Sequence, residues 1–254
     1  SDLTKIIVRA NSAPSGWAHN IIKKNLYSII INLADDVMVN SIDFRRQFDK
    51  KFKIKSKCIY NPFYKAKLNV NSNKNLFQKK SLKILSIGRL TKQKDHITLL
   101  KAAKLINPAI KPELIIIGKG KEFINLKNFI ISNHLQKIVK LVGYKVDGYN
   151  FIKKCDIFVL TSKYEGLPNV ICESMLLGCP VIATSVSDNP YILGKNKERG
   201  ILCKPNSPIS LLKAIEYFES MTPEKHFNMV KQAREFAKTN FDLEIMVQKY
   251  LSKA

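Results

Sequence analysis

The stretch Leu82-Lys83-Ile84-Leu85-Ser86-Ile87-Gly88-Arg89-Leu90-Thr91-Lys92-Gln93-Lys94-Asp95-His96 decides how the rest of the chain is read. Residues 83–87 are few, apolar at Ile84, Leu85 and Ile87, and stopped by a glycine, which suits a buried strand. A basic loop over 88–95 follows. Residues 96–106 then place Ile97, Leu100, Ala103 and Leu105 along one side of a helix. The same order of strand, loop and helix recurs downstream. Strands are predicted over 113–117 (ending at Gly118), 138–142 (ending at Gly143), 156–160, 180–184 and 201–203. Helices are predicted over 123–132, 148–154, 168–177 (stopped by Gly178), 207–219 and 223–238. Alternation at this spacing means βαβ units and a parallel sheet covered on both faces. Ligands of such sheets bind beyond the carboxyl ends of the strands. Chemistry is therefore expected just after Ile87, Ile117, Val142, Leu160 and Thr184.

Upstream, residues 5–10, 36–39 and 57–60 read as strands and 19–33 and 42–49 as helices, with Asn61-Pro62 stopping the last strand. The expected fold class is α/β. A partial Rossmann-like domain occupies 1–64, a polar linker rich in Asn and Lys 65–80, and a complete Rossmann-like domain with a parallel sheet 81–238. An amphipathic helix lies within 239–254, with Ile245, Val247, Tyr250 and Leu251 as its apolar residues. The first block alone is too small to bury both faces of a sheet.

Composition narrows the function classes. The chain has 254 residues, with 45% hydrophobic and 25% charged, as a soluble globular protein has. It contains no apolar run long enough to span a bilayer, and its start lacks the order of a signal peptide. The five cysteines (Cys58, Cys155, Cys172, Cys179 and Cys203) are scattered and lack CxxC spacing, so buried thiols are expected and not a disulfide frame or a zinc site. A cytoplasmic location is the expectation. Lys+Arg 43 against Asp+Glu 20 leaves a net charge of +23. Nucleic-acid binding would call for basic clusters interleaved with aromatics or a known motif, and no nucleic-acid partner is expected. Compositional bias toward Lys, Asn and Ile accounts for much of the excess. The cluster Lys50, Lys51, Lys53, Lys55 and Lys57 is denser than bias needs, and points to peripheral contact with an anionic membrane surface.

Two loops carry the chemistry. In the first, Gly88 permits close backbone approach, and Arg89 and Lys94 lie near a helix N-terminus that itself favours anions. A planar fork, a mobile ammonium and free backbone N–H groups suit a diphosphate. A solvated basic loop is the alternative. The second loop belongs to Lys163-Tyr164-Glu165-Gly166-Leu167-Pro168-Asn169-Val170-Ile171-Cys172-Glu173. Pro168 suits the first helical position, and the N–H groups of Asn169 and Val170 would then serve as anion donors. Glu173, inside the helix, can accept both hydroxyls of a ribose, and Glu165 hydroxyls of another ring. The alternatives are that Glu165 only satisfies the helix dipole and that Glu173 is a solvated helical residue. Basic groups for a diphosphate, flanked by carboxylates for sugar hydroxyls, are what a nucleotide-activated sugar needs.

Ile87 to Asp95 as quoted, Ile116-Ile117-Gly118-Lys119-Gly120, Leu141-Val142-Gly143-Tyr144, and Glu165-Gly166-Leu167-Pro168 with Glu173 resemble glycosyltransferase family 4. Ile59-Tyr60-Asn61-Pro62 is similar to that family's domain junction, and Ala34-Asp35-Asp36-Val37-Met38-Val39-Asn40-Ser41 to its preceding strand. The resemblance implies a retaining, metal-independent transferase of the GT-B fold, two Rossmann-like domains facing across a cleft, with no cofactor beyond the donor. Arg89, Lys94 and Glu165 would be catalytic. Arg89 and Lys94 would hold the donor diphosphate, Glu173 the ribose and Glu165 the transferred sugar. The backbone of Gly88, Gly143, Tyr144, Gly166, Leu167, Pro168, Asn169 and Val170 would complete the donor site. Partners would be a nucleotide sugar, with UDP expected from family precedent, and a polysaccharide, lipopolysaccharide or lipid-linked acceptor of a bacterial cell. The family's N-terminal domain usually begins with a Gly-rich loop and further βα units before the segment that opens this chain, so no acceptor site is assigned. His19, His96, His134 and His226 read as structural or solvated. The contrasting readings are a donor-binding remnant without activity and a nucleotide-sugar epimerase of the same architecture.

Overall fold

Three parallel strands open the structure, a computed structural model that describes residues 5–11, 21–62, 77 and 81–251. His19 and the expected linker, Phe77 apart, lie outside the described residues. By its contacts the chain divides into two units. One takes Ser1–Phe63, Glu165–Leu167 and Thr239–Ala254; the other takes Tyr64–Tyr164 and Pro168–Lys238.

The first unit begins with β1 (Ile7–Ala10), α1 (Ile21–Asn32), β2 (Asp36–Val39), α2 (Ile42–Phe52) and β3 (Lys57–Cys58), the strands in the order β1-β2-β3. Ser41 caps α2 by accepting a hydrogen bond from the Phe44 amide at 3.2 Å. Phe44, Phe48 and Phe52 recur every fourth residue and are all buried. Periodicity predicts an end at Asp49, but Phe52 extends the apolar stripe by a further turn. The helix stops at Lys53, whose φ of 55° is left-handed. Asp49 then holds the exit by accepting from the amide and hydroxyl of Ser56 at 2.8 and 2.7 Å. β3 is shorter than the predicted 57–60, although the amide of Ile59 still bonds the carbonyl of Val39 at 2.8 Å.

The second unit runs β4 (Leu82–Ile87), α3 (His96–Ala103), β5 (Pro112–Ile117), α4 (Phe123–Ser132), β6 (Val139–Leu141), α5 (Gly148–Lys154), β7 (Ile157–Leu160), α6 (Asn169–Leu177), β8 (Val181–Thr184), α7 (Asn189–Leu193), β9 (Ile201–Cys203), α8 (Pro208–Glu219) and α9 (Pro223–Phe241) as far as Lys238. Its six strands are all parallel, ordered β6-β5-β4-β7-β8-β9. β5, β7 and β8 are buried at every position, as both-sided cover requires. Alternate residues sort by face. Ile84, Leu114, Ile116, Val159 and Ile182 join one core with Leu99 and Leu100 of α3, Leu126 and Ile130 of α4, and Leu211 and Ile215 of α8. Helices α5, α6 and α7 meet the strands by a separate set of contacts, α5 with β4, α6 with β7 and β8, and α7 with β8 and β9.

Two local departures have clear causes. α3 ends at Ala103 and not at Ile106, because the amides of Leu105 and Ile106 switch to tighter three-residue bonds ahead of Pro108. α7 was not predicted; five residues are too few to show a period. The chain ends in α10 (Leu243–Leu251), which belongs to the first unit, where Met246 packs with Met38 and Ile59. Phe241 meets the Tyr60 ring edge-on at 5.3 Å.

Candidate functional site

The strand order sets the site. From β4 the chain steps outward through β5 to β6, then crosses back to place β7 on the other side of β4. The loop after β4 leads to α3 and the loop after β7 to α6, which lie in different sets of packing helices. A crevice opens where two such loops part.

Glycines let the strand ends approach one another. The Gly88 amide donates to the Ile117 carbonyl at 3.0 Å, that of Leu90 to Lys119 at 2.9 Å and that of Gly118 to Gly143 at 2.9 Å. A Cβ on Gly118 would stand 1.9 Å from the Gly88 oxygen, so no side chain fits there without moving backbone. Gly143 has the left-handed φ of 71° and open space where a Cβ would lie. Tyr144 beyond it is 62% exposed, with the Lys119 ammonium 5.3 Å from its ring centroid.

The basic loop is held from both ends. A Cβ on Gly88 would lie 3.6 Å from Cδ and Cε of Lys94, so the hydrocarbon arm of that lysine passes over the end of β4. Arg89 is exposed. Asp95 has a left-handed φ of 49°, and its buried carboxylate accepts from the Thr98 hydroxyl at 2.7 Å. From the β7 side, the Thr161 hydroxyl lies 3.0 Å from the carbonyls of both Lys94 and Asp95. The Lys163 amide donates to the Gln93 carbonyl at 2.8 Å, and the Gln93 amide group to the Tyr164 carbonyl at 3.0 Å. His96 is 3% exposed; burial, and secondarily the charge of Lys94, lowers its pKa to about 4, so it opens α3 as a neutral ring. The structural reading of His96 holds. The His226 ring lies 5.5 Å from that of Phe218, tilted by 56°, and His134 takes a left-handed φ of 54° after α4.

Beyond β7 the placement of Pro168 differs from prediction. With ψ at 87° it precedes the helix and does not occupy its first position, so α6 starts at Asn169. The ring offers no side-chain cap to the first amides, those of Asn169 and Val170. Glu173 lies in the middle of α6, where Oε1 accepts from the Tyr149 hydroxyl at 3.0 Å. Burial first, then the charge and hydrogen bond of Glu173, pushes the Tyr149 phenol up to about 12. Glu165, Gly166 and Leu167 group with the first unit, whereas Gly88, Arg89, Lys94, Gly143, Tyr144, Pro168, Asn169, Val170 and Glu173 belong to the second. Glu165 is 8% exposed, and a Cβ on Gly166 would come 2.6 Å from the Phe44 ring. Sequence reasoning singled out neither Tyr149 nor Thr161, since their partners are remote along the chain and no spacing links them.

Elsewhere, all five cysteines are free thiols, and Cys155 and Cys179 stand 3.3 Å apart, sulfur to sulfur. Among the described residues, no cluster of three or more His, Cys, Asp or Glu is placed to hold a metal ion, and no helix is long and apolar enough to cross a membrane.

Known proteins share both sequence and architecture. The profile of the family described as Glycosyl transferases group 1 matches residues 69–236. A Campylobacter jejuni protein named N-acetylgalactosamine-N,N'-diacetylbacillosaminyl-diphospho-undecaprenol 4-alpha-N-acetylgalactosaminyltransferase is 26% identical over 255 residues, covering 92% of this chain and 69% of its own. An Escherichia coli UDP-Gal:alpha-D-GlcNAc-diphosphoundecaprenol alpha-1,3-galactosyltransferase is 32% identical over 168 residues, 64% of this chain and 42% of its own. This chain thus spans about two thirds of one relative and under half of the other. The crystal structure of Anabaena Alr3699/HepE in complex with UDP superposes with a TM-score of 0.85 at 21% identity, covering 98% of this chain and 71% of that one. The strand order, the glycine-lined strand ends and the family profile agree: this chain has the GT-B glycosyltransferase fold and belongs to the group 1 glycosyltransferases.

Proposed function

We propose that the chain carries the donor site of a retaining glycosyltransferase that takes a UDP-sugar and transfers the sugar to a lipid-linked or polymeric glycan. The observation that carries this reading is the basic loop at the end of β4, where Lys94 crosses Gly88 and Thr161 ties the loop to the one after β7. Pre-set cations at a strand end stabilise charge that develops on a departing phosphate, without reorganising during reaction. Lys94 supplies a mobile ammonium and Arg89 a planar fork for that diphosphate. Glu173 takes the ribose diol, Glu165 the hydroxyls of the transferred sugar, and the backbone at Gly143 and Tyr144 the base. In this reading no covalent sugar forms on the enzyme. The acceptor hydroxyl enters on the face that the nucleotide leaves, and no metal is needed. The UDP-bound neighbour supports the choice of nucleotide, and two relatives named for diphospho-undecaprenol substrates support a lipid-linked acceptor. A lysine-rich exposed segment at the end of α2 suits work at an anionic membrane surface.

Calorimetric titration with UDP and GDP tests the site, and transfer from the matching sugar nucleotide tests the activity. Arg89→Ala and Lys94→Ala are each expected to lower turnover by about 100-fold or more while the melting temperature holds. Near-normal turnover in both variants overturns the reading. Nucleotide binding without turnover in the unaltered chain replaces it with a donor-binding remnant, and epimerised donor with no acceptor present replaces it with an epimerase.

A further inference from the structure

We infer that Tyr149 is a positioning residue of the nucleotide pocket, its phenol orienting the Glu173 carboxylate toward the ribose diol. This rests on the donor-site reading above and adds a residue to it. Tyr149 lies in the first turn of α5, directly after Gly148. A Cβ on Gly148 would stand 3.4 Å from Cδ1 of Ile87, so the start of α5 is packed against the last residue of β4. Helices α5 and α6 also pack together. Tyr149 therefore sits near the carboxyl end of β4, and its hydroxyl donates to Oε1 of Glu173 at 3.0 Å. Both side chains are half-buried, and Glu173 is flanked along the helix by the fully buried Cys172 and Ser174.

The chemistry of the donor matters. A lysine or arginine in this place would neutralise the carboxylate and compete for it with several N–H groups. A phenol supplies one O–H, fixes one oxygen and leaves the negative charge in place. An ionised carboxylate has about four lone-pair directions, of which the phenol takes one, and a vicinal diol needs two. Deprotonation would abolish the arrangement. Burial and the neighbouring charge push the phenol up to about 12, so it remains a donor at neutral pH.

The test measures UDP and GDP, each beside its 2′,3′-dideoxy analogue, which lacks the diol, by calorimetry on the unaltered chain and on Tyr149→Phe. The ring is kept, so a purely structural loss would weaken ribo- and dideoxynucleotides alike. The expected result is about a 10-fold weaker ribonucleotide, the scale of one hydrogen bond to a charged group, with the dideoxynucleotide changed less than about twofold. In a Glu173→Ala background the same substitution is expected to be silent, because the group it orients is gone. Equal weakening of both nucleotides, or no weakening, overturns the role of Tyr149 while leaving the donor site standing. No uptake of either nucleotide by the unaltered chain overturns the donor site and this inference with it.

Discussion

Lys94 and His96 sit two positions apart and meet opposite environments. The lysine arm lies over a strand end, whereas the imidazole is sealed into the start of α3 with its pKa lowered to about 4. An unfolded histidine titrates near 6.5. Between that value and about 4 the unfolded chain binds a proton that the folded one does not, so His96 supports stability above this window and loses it as pH falls through it. The expected loss from this group alone is about 2 kcal/mol at pH near 5 relative to neutral. Urea unfolding at both pH values checks this against His96→Gln. If the two proteins show the same pH slope, His96 is not the buried neutral base described here. The sequence could place His96 at a helix start but could not say that it is covered, since burial of a helix end depends on what packs over it.

At the scale of elements, the loops after β4 and β7 act as a pair. The Thr161 hydroxyl serves the carbonyls of Lys94 and Asp95, and backbone and side-chain bonds join Gln93 to Lys163 and Tyr164. Thr161→Val keeps the shape and removes the donor, so the shared hydrogen bond to the Lys94 and Asp95 carbonyls is lost at a cost of about 1 kcal/mol, while the Asp95 carbonyl keeps the Thr98 amide. The melting temperature should fall by a few degrees and nucleotide affinity should fall with it, because Lys94 loses its anchor. Unchanged values for both would show that the loops hold each other by packing alone. The elements themselves were largely legible. Helices over 123–132 and 148–154 and the strand over 201–203 match the structure to the residue, because alternation of apolar runs with glycine stops reflects local sterics and burial. What was not legible was the end of α2, extended by one more phenylalanine, the brevity of β3, and α7, whose five residues show no period.

On the scale of the whole molecule, the charge of +23 bears on association, not on fold. Within the basic cluster, Lys57 is paired with Asp36 on the adjacent strand, while Lys50, Lys53 and Lys55 are exposed. Sedimentation with anionic vesicles is expected, and it should decline steeply between about 0.1 M and about 1 M salt as the screening length falls from about 10 Å to about 3 Å. Binding that is absent, or indifferent to salt, would remove the membrane-surface role. The glycine and arginine-lysine motifs of the candidate site were visible as patterns along the chain. Their spatial relations were not.

The sequence by itself determined that strands and helices alternate, that glycines end several strands, and that Arg89, Lys94 and Glu165 stand in loops after strands and Glu173 in the helix that follows. Those features arise between near neighbours, through backbone sterics and the period of apolar residues. Only the tertiary structure decided that β4 lies between β5 and β7, that Tyr149 reaches Glu173, and that Glu165–Leu167 packs with the first unit. These depend on which surfaces bury one another across long stretches of chain, and no local pattern records that choice.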